Sequence, residues 1–291
     1  MITQSTEHRE TAIRGSGDVE LFVQSWQPVG AIRGVVALVH GISEHSGRYG
    51  YLVDRLTREG FAVAAFDNRG HGRSGGVHGH IDSWSDYRED VRAFIRYTSA
   101  HFMRLPLFIY GHSLGALIVS DYILFYPEDL TGVILSGHPL QPTGAAKPYL
   151  VFIARILSKY KPLFSLPLGV ADDALSRDPA VVKAFATDPL VHRRVTARWG
   201  VESLAAIDRV RARAGEIDLP LLIIHGGADR VNSAEGSKEL FKRASSTDKD
   251  IRIYPGGFHE PHNDLDKEAV MSDVIEWLTV RTPSIPTYID R

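Results

Sequence analysis

Six short apolar runs alternate with segments of helical periodicity, and this alternation constrains the fold more than any other feature of the chain. The runs are Val35 to Val39, Phe61 to Phe66, Leu107 to Tyr110, Gly132 to Leu135, Leu219 to Ile224 and Ile251 to Tyr254. Continuous apolar runs suit strands covered on both faces, as in a parallel sheet. The segments between them predict helices at about 47–59, 86–102, 114–126, 235–244 and 266–280. Strands alternating with helices predict βαβ units: an α/β chain with a mostly parallel central sheet flanked by helices. Residues 19–27 alternate apolar and polar side chains, which suits an antiparallel edge strand.

The alternation stops between 139 and 200. That stretch holds Pro139, Pro142, Pro148, Pro162, Pro167, Pro179 and Pro189, with helical patterns near 146–158 and 178–186. A structureless loop of this length is uncommon in a compact domain. The reading is therefore an inserted helical cap at 139–200, interrupting a core of 1–138 and 201–281. Residues 282–291 contain two prolines and read as a flexible C-terminal tail.

Composition narrows the function. The 291 residues carry a formal charge of -2, so no global basic field is present to hold nucleic acid by phosphate neutralisation. There is no cysteine, which excludes thiolate metal sites and cysteine nucleophiles. The opening MITQSTEHRE is polar, and no run approaches about 18 apolar residues. The expectation is a cytoplasmic globular protein.

The strongest chemical signal is Gly111-His112-Ser113-Leu114-Gly115. This G-x-S-x-G pentapeptide follows an apolar strand and opens a helix, the context of a nucleophile elbow. A serine nucleophile needs a base, and the base needs an orienting acid. After Ser113, Asp229 follows the strand ending at Ile224, and His259 follows the strand ending at Tyr254. Both sit at carboxyl ends of strands, on the sheet edge that carries Ser113. Asp218 precedes its strand and Asp208 lies in a helical stretch, so Asp229 is the preferred acid. Acyl transfer also needs oxyanion donors, and the backbone N–H groups of Ile42 and Leu114 are the candidates. His40 and His112 are expected to hydrogen-bond the backbone that shapes these turns.

Two other patterns carry less. Gly70-His71-Gly72-Arg73-Ser74-Gly75 matches G-x-G-x-x-G after a strand, but loop rather than helix follows, so no nucleotide cofactor is expected. His71, His78 and His80 lack a neighbouring carboxylate cluster, and His259 beside His262 already has a role, so no metal is expected.

Over roughly residues 19–280 the chain resembles the monoacylglycerol lipases of the α/β-hydrolase superfamily. The resemblance rests on His40-Gly41-Ile42-Ser43-Glu44-His45-Ser46-Gly47-Arg48-Tyr49, Asp67 to Ser74, Gly111 to Gly115, Ser176-Arg177-Asp178, Thr187-Asp188-Pro189-Leu190 and Ala228-Asp229-Arg230. It implies an α/β-hydrolase fold without cofactor, and hydrolysis of monoacylglycerols to glycerol and fatty acid. It carries Ser113, Asp229 and His259 over as a triad and Ile42 and Leu114 as oxyanion donors. Glu44, Arg48 and His262 become glycerol contacts. Phe185 stands where some relatives have a cap tyrosine able to contact glycerol, and His138 stands where a small or apolar residue is expected. The implied partner is a lipid ester, met through a cap that contacts a membrane or micelle peripherally. The apolar segment 148–157, flanked by Lys147, Lys159 and Lys161, suits such an interface, although packing onto the core would explain it as well. A lysophospholipase, a broad carboxylesterase and a non-catalytic ligand-binding hydrolase fold are the alternatives.

Overall fold

A computed structural model of the chain describes residues 6–143 and 148–283. Its centre is an eight-stranded sheet in the order β1-β2-β4-β3-β5-β6-β9-β10. The strands are β1 (Thr6–Arg14), β2 (Glu20–Pro28), β3 (Gly34–Val39), β4 (Phe61–Phe66), β5 (Leu107–His112), β6 (Gly132–Ser136), β9 (Leu221–Gly226) and β10 (Lys249–Tyr254). From β4 to β10 every pairing is parallel. Five of the six apolar runs fall within these strands, and the sixth enters β9 at Leu221, after Leu219 and Pro220.

The expected edge strand is in the wrong place. Residues 19–27 do form an antiparallel strand, but β2 lies between β4 and β1 and is not an edge. The true edge is β1, whose TEHRETAIR sequence is polar and almost wholly exposed. It pairs with β2 over nine residues through backbone hydrogen bonds, which need no apolar side chains.

Helices cover both faces. Alternate residues of a strand point to opposite faces, so one strand feeds two cores. Val36 and Leu38 of β3 pack with α1 (Gly50–Arg58) and α8 (Lys267–Thr279). Val35, Ala37 and Val39 belong to the opposite core, which α2 (Trp84–His101), α3 (Leu114–Ile123), α6 (Ala197–Arg213) and α7 (Ala234–Arg243) cover. Ser83 caps α2, and Asp86 returns the bond in a capping box. The carboxylate of Asp121 in α3, fully buried, binds Arg88 of α2 at 2.9 Å and Arg209 of α6, tying three helices together.

Between β6 and β9 the chain leaves the sheet. It forms α4 (Pro148–Tyr160), α5 (Pro179–Thr187) and a small antiparallel pair, β7 (Ser165–Pro167) with β8 (Arg194–Thr196). Pro179 opens α5 behind the capping carboxylate of Asp178. The two helices match the periodicity, although residues 146–147 lie outside the described residues. The three-residue strands were not foreseen. Residue 200, where the cap is expected to end, lies inside α6. Most of the expected tail, from residue 284 onward, also lies outside the described residues. Among the described residues, no helix is long and apolar enough to cross a membrane.

Candidate active site

The loops after β3, β5, β9 and β10 converge at one edge of the sheet. Ser113 caps α3 at φ 52°, a left-handed conformation in the turn between strand and helix. This conformation is costly for a side chain and recurs at functional turns. The turn also needs Gly115, because a Cβ there would run into the backbone carbonyls of Val39 and His40. Gly226 allows an equally close approach: a Cβ there would meet the Gly257 and Phe258 carbonyls, so the β9 loop could not reach the His259 loop.

Three side chains form a continuous hydrogen-bonded chain. His259 Nε2 lies 2.9 Å from Ser113 Oγ. His259 Nδ1 lies 2.8 Å from Asp229 Oδ2. Asp229 Oδ1 accepts the backbone N–H groups of Val231 at 2.7 Å and Asn232 at 3.0 Å. Burial favours protonation of the Asp229 carboxyl. The facing charge of His259 and hydrogen bonds from His225 and His259 outweigh it, holding the group well below the usual carboxylate range. Burial likewise opposes charge on His259. Asp229, with Glu260 and Glu44, reverses the balance and raises its pKa above the ordinary histidine value. With Asp229 taking the Nδ1–H, Nε2 of the neutral ring is a base aimed at the Ser113 hydroxyl.

The two candidate oxyanion donors flank this serine. Among the described residues, neither the Ile42 N–H nor the Leu114 N–H has an intramolecular acceptor. Ile42 lines a cavity of about 220 Å³ beside Ser113 and His259. The Leu114 side chain is buried in the core, leaving only its backbone N–H to act. His40 shapes the β3 turn as expected, with Nδ1 at 2.7 Å from the Gly41 carbonyl and Nε2 accepting the Asn68 N–H at 2.8 Å. Among the described residues, the His112 side chain makes no hydrogen bond to backbone. Its Nδ1 pairs with the Ser136 hydroxyl at 3.2 Å.

The expected glycerol contacts divide. Glu44, Arg48 and Phe185 line the cavity. Glu44 is already committed: it accepts the Gly41 N–H at 2.6 Å, the Tyr49 hydroxyl at 2.7 Å and Arg48 at 2.6 Å. Arg48 also makes a two-pronged pair with Glu260, at 2.8 and 2.9 Å. Its guanidinium lies 4.7 Å from the Phe185 ring centre. Glu260 is driven up by burial and further down by Arg48, ending at about 2. His262 stands apart from these three. It is fully buried, stacked on Tyr49 at 4.7 Å and edge-on to His112 at 4.8 Å, and it is not part of the cavity wall. Its ring fills the layer behind the site, and burial lowers its pKa to about 4. His138 is buried between Ser120 Oγ at 2.9 Å and the Leu140 N–H at 3.1 Å, so two hydrogen bonds stand where an apolar residue was expected.

Sequence reasoning missed Glu260, although a charged residue directly after His259 was a visible signal. It also missed the cavity walls given by Leu168, Val170, Leu175 and His192, which have no local signature. Among the described residues, no group of three or more histidines and carboxylates is placed to hold a metal ion.

A mostly parallel sheet with an ordered Ser, Asp and His at the carboxyl ends of its strands defines the class: a hydrolase of α/β-hydrolase fold. Residues 30–266 match the family described as serine aminopeptidase, S33. The monoacylglycerol lipase of Mycolicibacterium smegmatis is 36% identical over 276 residues, 94% of this chain and 98% of that protein. The human monoglyceride lipase is 30% identical over 272 residues, 92% and 89% of the two chains. The crystal structure of the Paleococcus ferrophilus monoacylglycerol lipase superposes with a TM-score of 0.82 at 34% identity, over 90% of this chain and 99% of the other. The chain belongs to the serine aminopeptidase S33 family, as a member similar to its monoacylglycerol lipases.

Proposed function

We propose that this chain is a serine hydrolase that cleaves monoacylglycerols to glycerol and free fatty acid through an acyl-enzyme. The observation that carries the reading is the unbroken chain Ser113–His259–Asp229, at 2.9 and 2.8 Å, opening on a cavity. His259 removes the Ser113 proton as Oγ attacks the ester carbonyl, and the Ile42 and Leu114 N–H groups receive the oxyanion. His259 then protonates the departing glycerol oxygen. Water, deprotonated by the same ring, releases the fatty acid.

Residues 139–200 act in this reading as a cap. Leu168, Val170, Leu175 and Phe185 give the cavity an apolar wall that suits an acyl chain. The outer face of the cap exposes Phe152, Ile156, Tyr160 and Leu163, with Lys159 and Lys161 beside them. That pattern suits peripheral contact with a lipid surface. A protein acting from the cytoplasm and meeting membrane lipid through this face fits the reading.

The test is a substrate panel of monoacylglycerols, lysophospholipids and short p-nitrophenyl esters, run on the wild type and on Ser113→Ala. Preference for monoacylglycerol, lost with Ser113, supports the proposal. Clear preference for lysophospholipids or soluble esters overturns the substrate class. Failure of Ser113 to react with a fluorophosphonate overturns the catalytic reading altogether.

A further inference from the structure

Asp229 is approached by a second histidine. His225 lies within β9, and its Nε2 is 3.1 Å from the same Oδ2 that takes the His259 Nδ1–H. Both side chains are fully buried. The same Nε2 is 3.0 Å from the Asn232 carbonyl. Two oxygens that can only accept therefore face this nitrogen, so it carries a proton. Across the ring, Nδ1 is 2.7 Å from Ser237 Oγ in α7, whose hydroxyl can rotate to donate to it. Burial alone does not force such pairing. His262, equally buried, has neither nitrogen partnered among the described residues.

We propose that His225 is a positioning residue for the triad: it holds the Asp229 carboxylate in the orientation that His259 uses and shares the charge of Oδ2. The inference rests on the triad reading above. Two backbone N–H groups fix Oδ1, and His225 Nε2, shared with the Asn232 carbonyl, is the only side-chain nitrogen paired with Oδ2 besides that of the reacting histidine among the described residues. Donors that orient the group behind a reacting residue govern its geometry and basicity. Other charged groups bear on the pair from neighbouring elements. Glu260 and Glu44 act on His259, and the His112 ring centre lies 5.0 Å from that of His259. Arg230, next to Asp229, is turned to Asp173.

The experiment compares the wild type with His225→Leu, His225→Gln and Ser237→Ala. It reads the rate of Ser113 labelling by a fluorophosphonate, the kcat and KM for a soluble p-nitrophenyl ester, the pH profile of kcat/KM and the Tm. His225→Leu is expected to slow labelling and kcat about tenfold or more, with KM within about twofold. With the second donor gone, Oδ2 acts on His259 alone, its imidazolium is better stabilised, and the acid limb moves to higher pH. His225→Gln offers an amide N–H in place of Nε2–H and restores most of the rate. Ser237→Ala gives a smaller loss, about two- to fivefold, with a limb shift of the same sign, and decides the matter if His225→Leu does not fold. Wild-type rates and an unmoved limb overturn the inference. So does a loss that follows Tm alone and is not restored by glutamine. Ser113→Ala keeps the two readings apart: if that variant still labels, the triad reading fails. If only the His225 variants behave as wild type, this inference fails alone.

Discussion

The Glu44 carboxylate accepts the Gly41 backbone N–H at 2.6 Å, immediately before the Ile42 N–H in the turn after β3. The bond fixes the loop that is to present an oxyanion donor. Glu44→Gln weakens that hold and leaves the Arg48–Glu260 pair in place. The expected result is a fall in kcat of about tenfold, with little change in KM, on a monoacylglycerol and a p-nitrophenyl ester alike. Loss confined to the monoacylglycerol would instead make Glu44 a glycerol contact. Steady-state kinetics on the two substrates separate these outcomes.

Arg48 lies between two buried carboxylates, Glu44 and Glu260. Arg48→Met keeps much of the volume but leaves both acids without their cation. Breaking such a cluster from one side costs about 3–5 kcal/mol. Urea unfolding at neutral pH is expected to show a loss of that order, and wild-type stability in the variant would refute it.

The same cluster sets an acid limit. Folding lowers the pKa of Glu260 from 4.5 to about 2. A depressed carboxylate stabilises the fold fully above its unfolded value and loses that contribution as pH falls through the folded one. Stability is therefore expected to decline between about pH 4.5 and 2, with Asp229, also depressed, adding to the fall. In Arg48→Met the Glu260 share of that decline should shrink. Unfolding curves across this range are the check.

What the sequence disclosed follows from the range of the forces involved. Ser113, Asp229 and His259 are each marked by local order, a strand and then a loop, so their convergence could be read from chain order alone. The edge strand β1 could not, because its TEHRETAIR sequence buries almost nothing. Glu260 was hidden for another reason: its partner Arg48 lies 212 positions away in the chain. The place of His262 was hidden too, because only three-dimensional packing shows Tyr49 and His112 enclosing the ring.

Ser113 holds φ at 52°, where a Cβ is strained. Ser113→Ala keeps that strain, whereas Ser113→Gly relieves it. Both variants are expected to be inactive, with the glycine form about 1 kcal/mol the more stable of the two. Chemical denaturation of the pair tests this. An alanine variant as stable as the glycine variant would mean that the elbow stores no strain.

The cap leaves Phe152 64% and Tyr160 72% exposed on α4, with Leu163 58% exposed just beyond it. Apolar area of this kind left in water is costly, whereas at a lipid surface it is buried, and Lys159 and Lys161 suit anionic headgroups. Replacing Phe152 and Tyr160 by serine removes the two most exposed aromatic side chains of that face without touching Ser113, His259 or the cavity walls. The expected outcome is weaker sedimentation with anionic phospholipid vesicles and about a tenfold lower rate on monoacylglycerol dispersed in them. Turnover of a water-soluble p-nitrophenyl ester should stay within about twofold of wild type, because the chemistry lies beneath the cap and not on its outer face. Equal losses on both substrates would assign these side chains to the folding of the cap, and no loss on either would remove the lipid surface from the account.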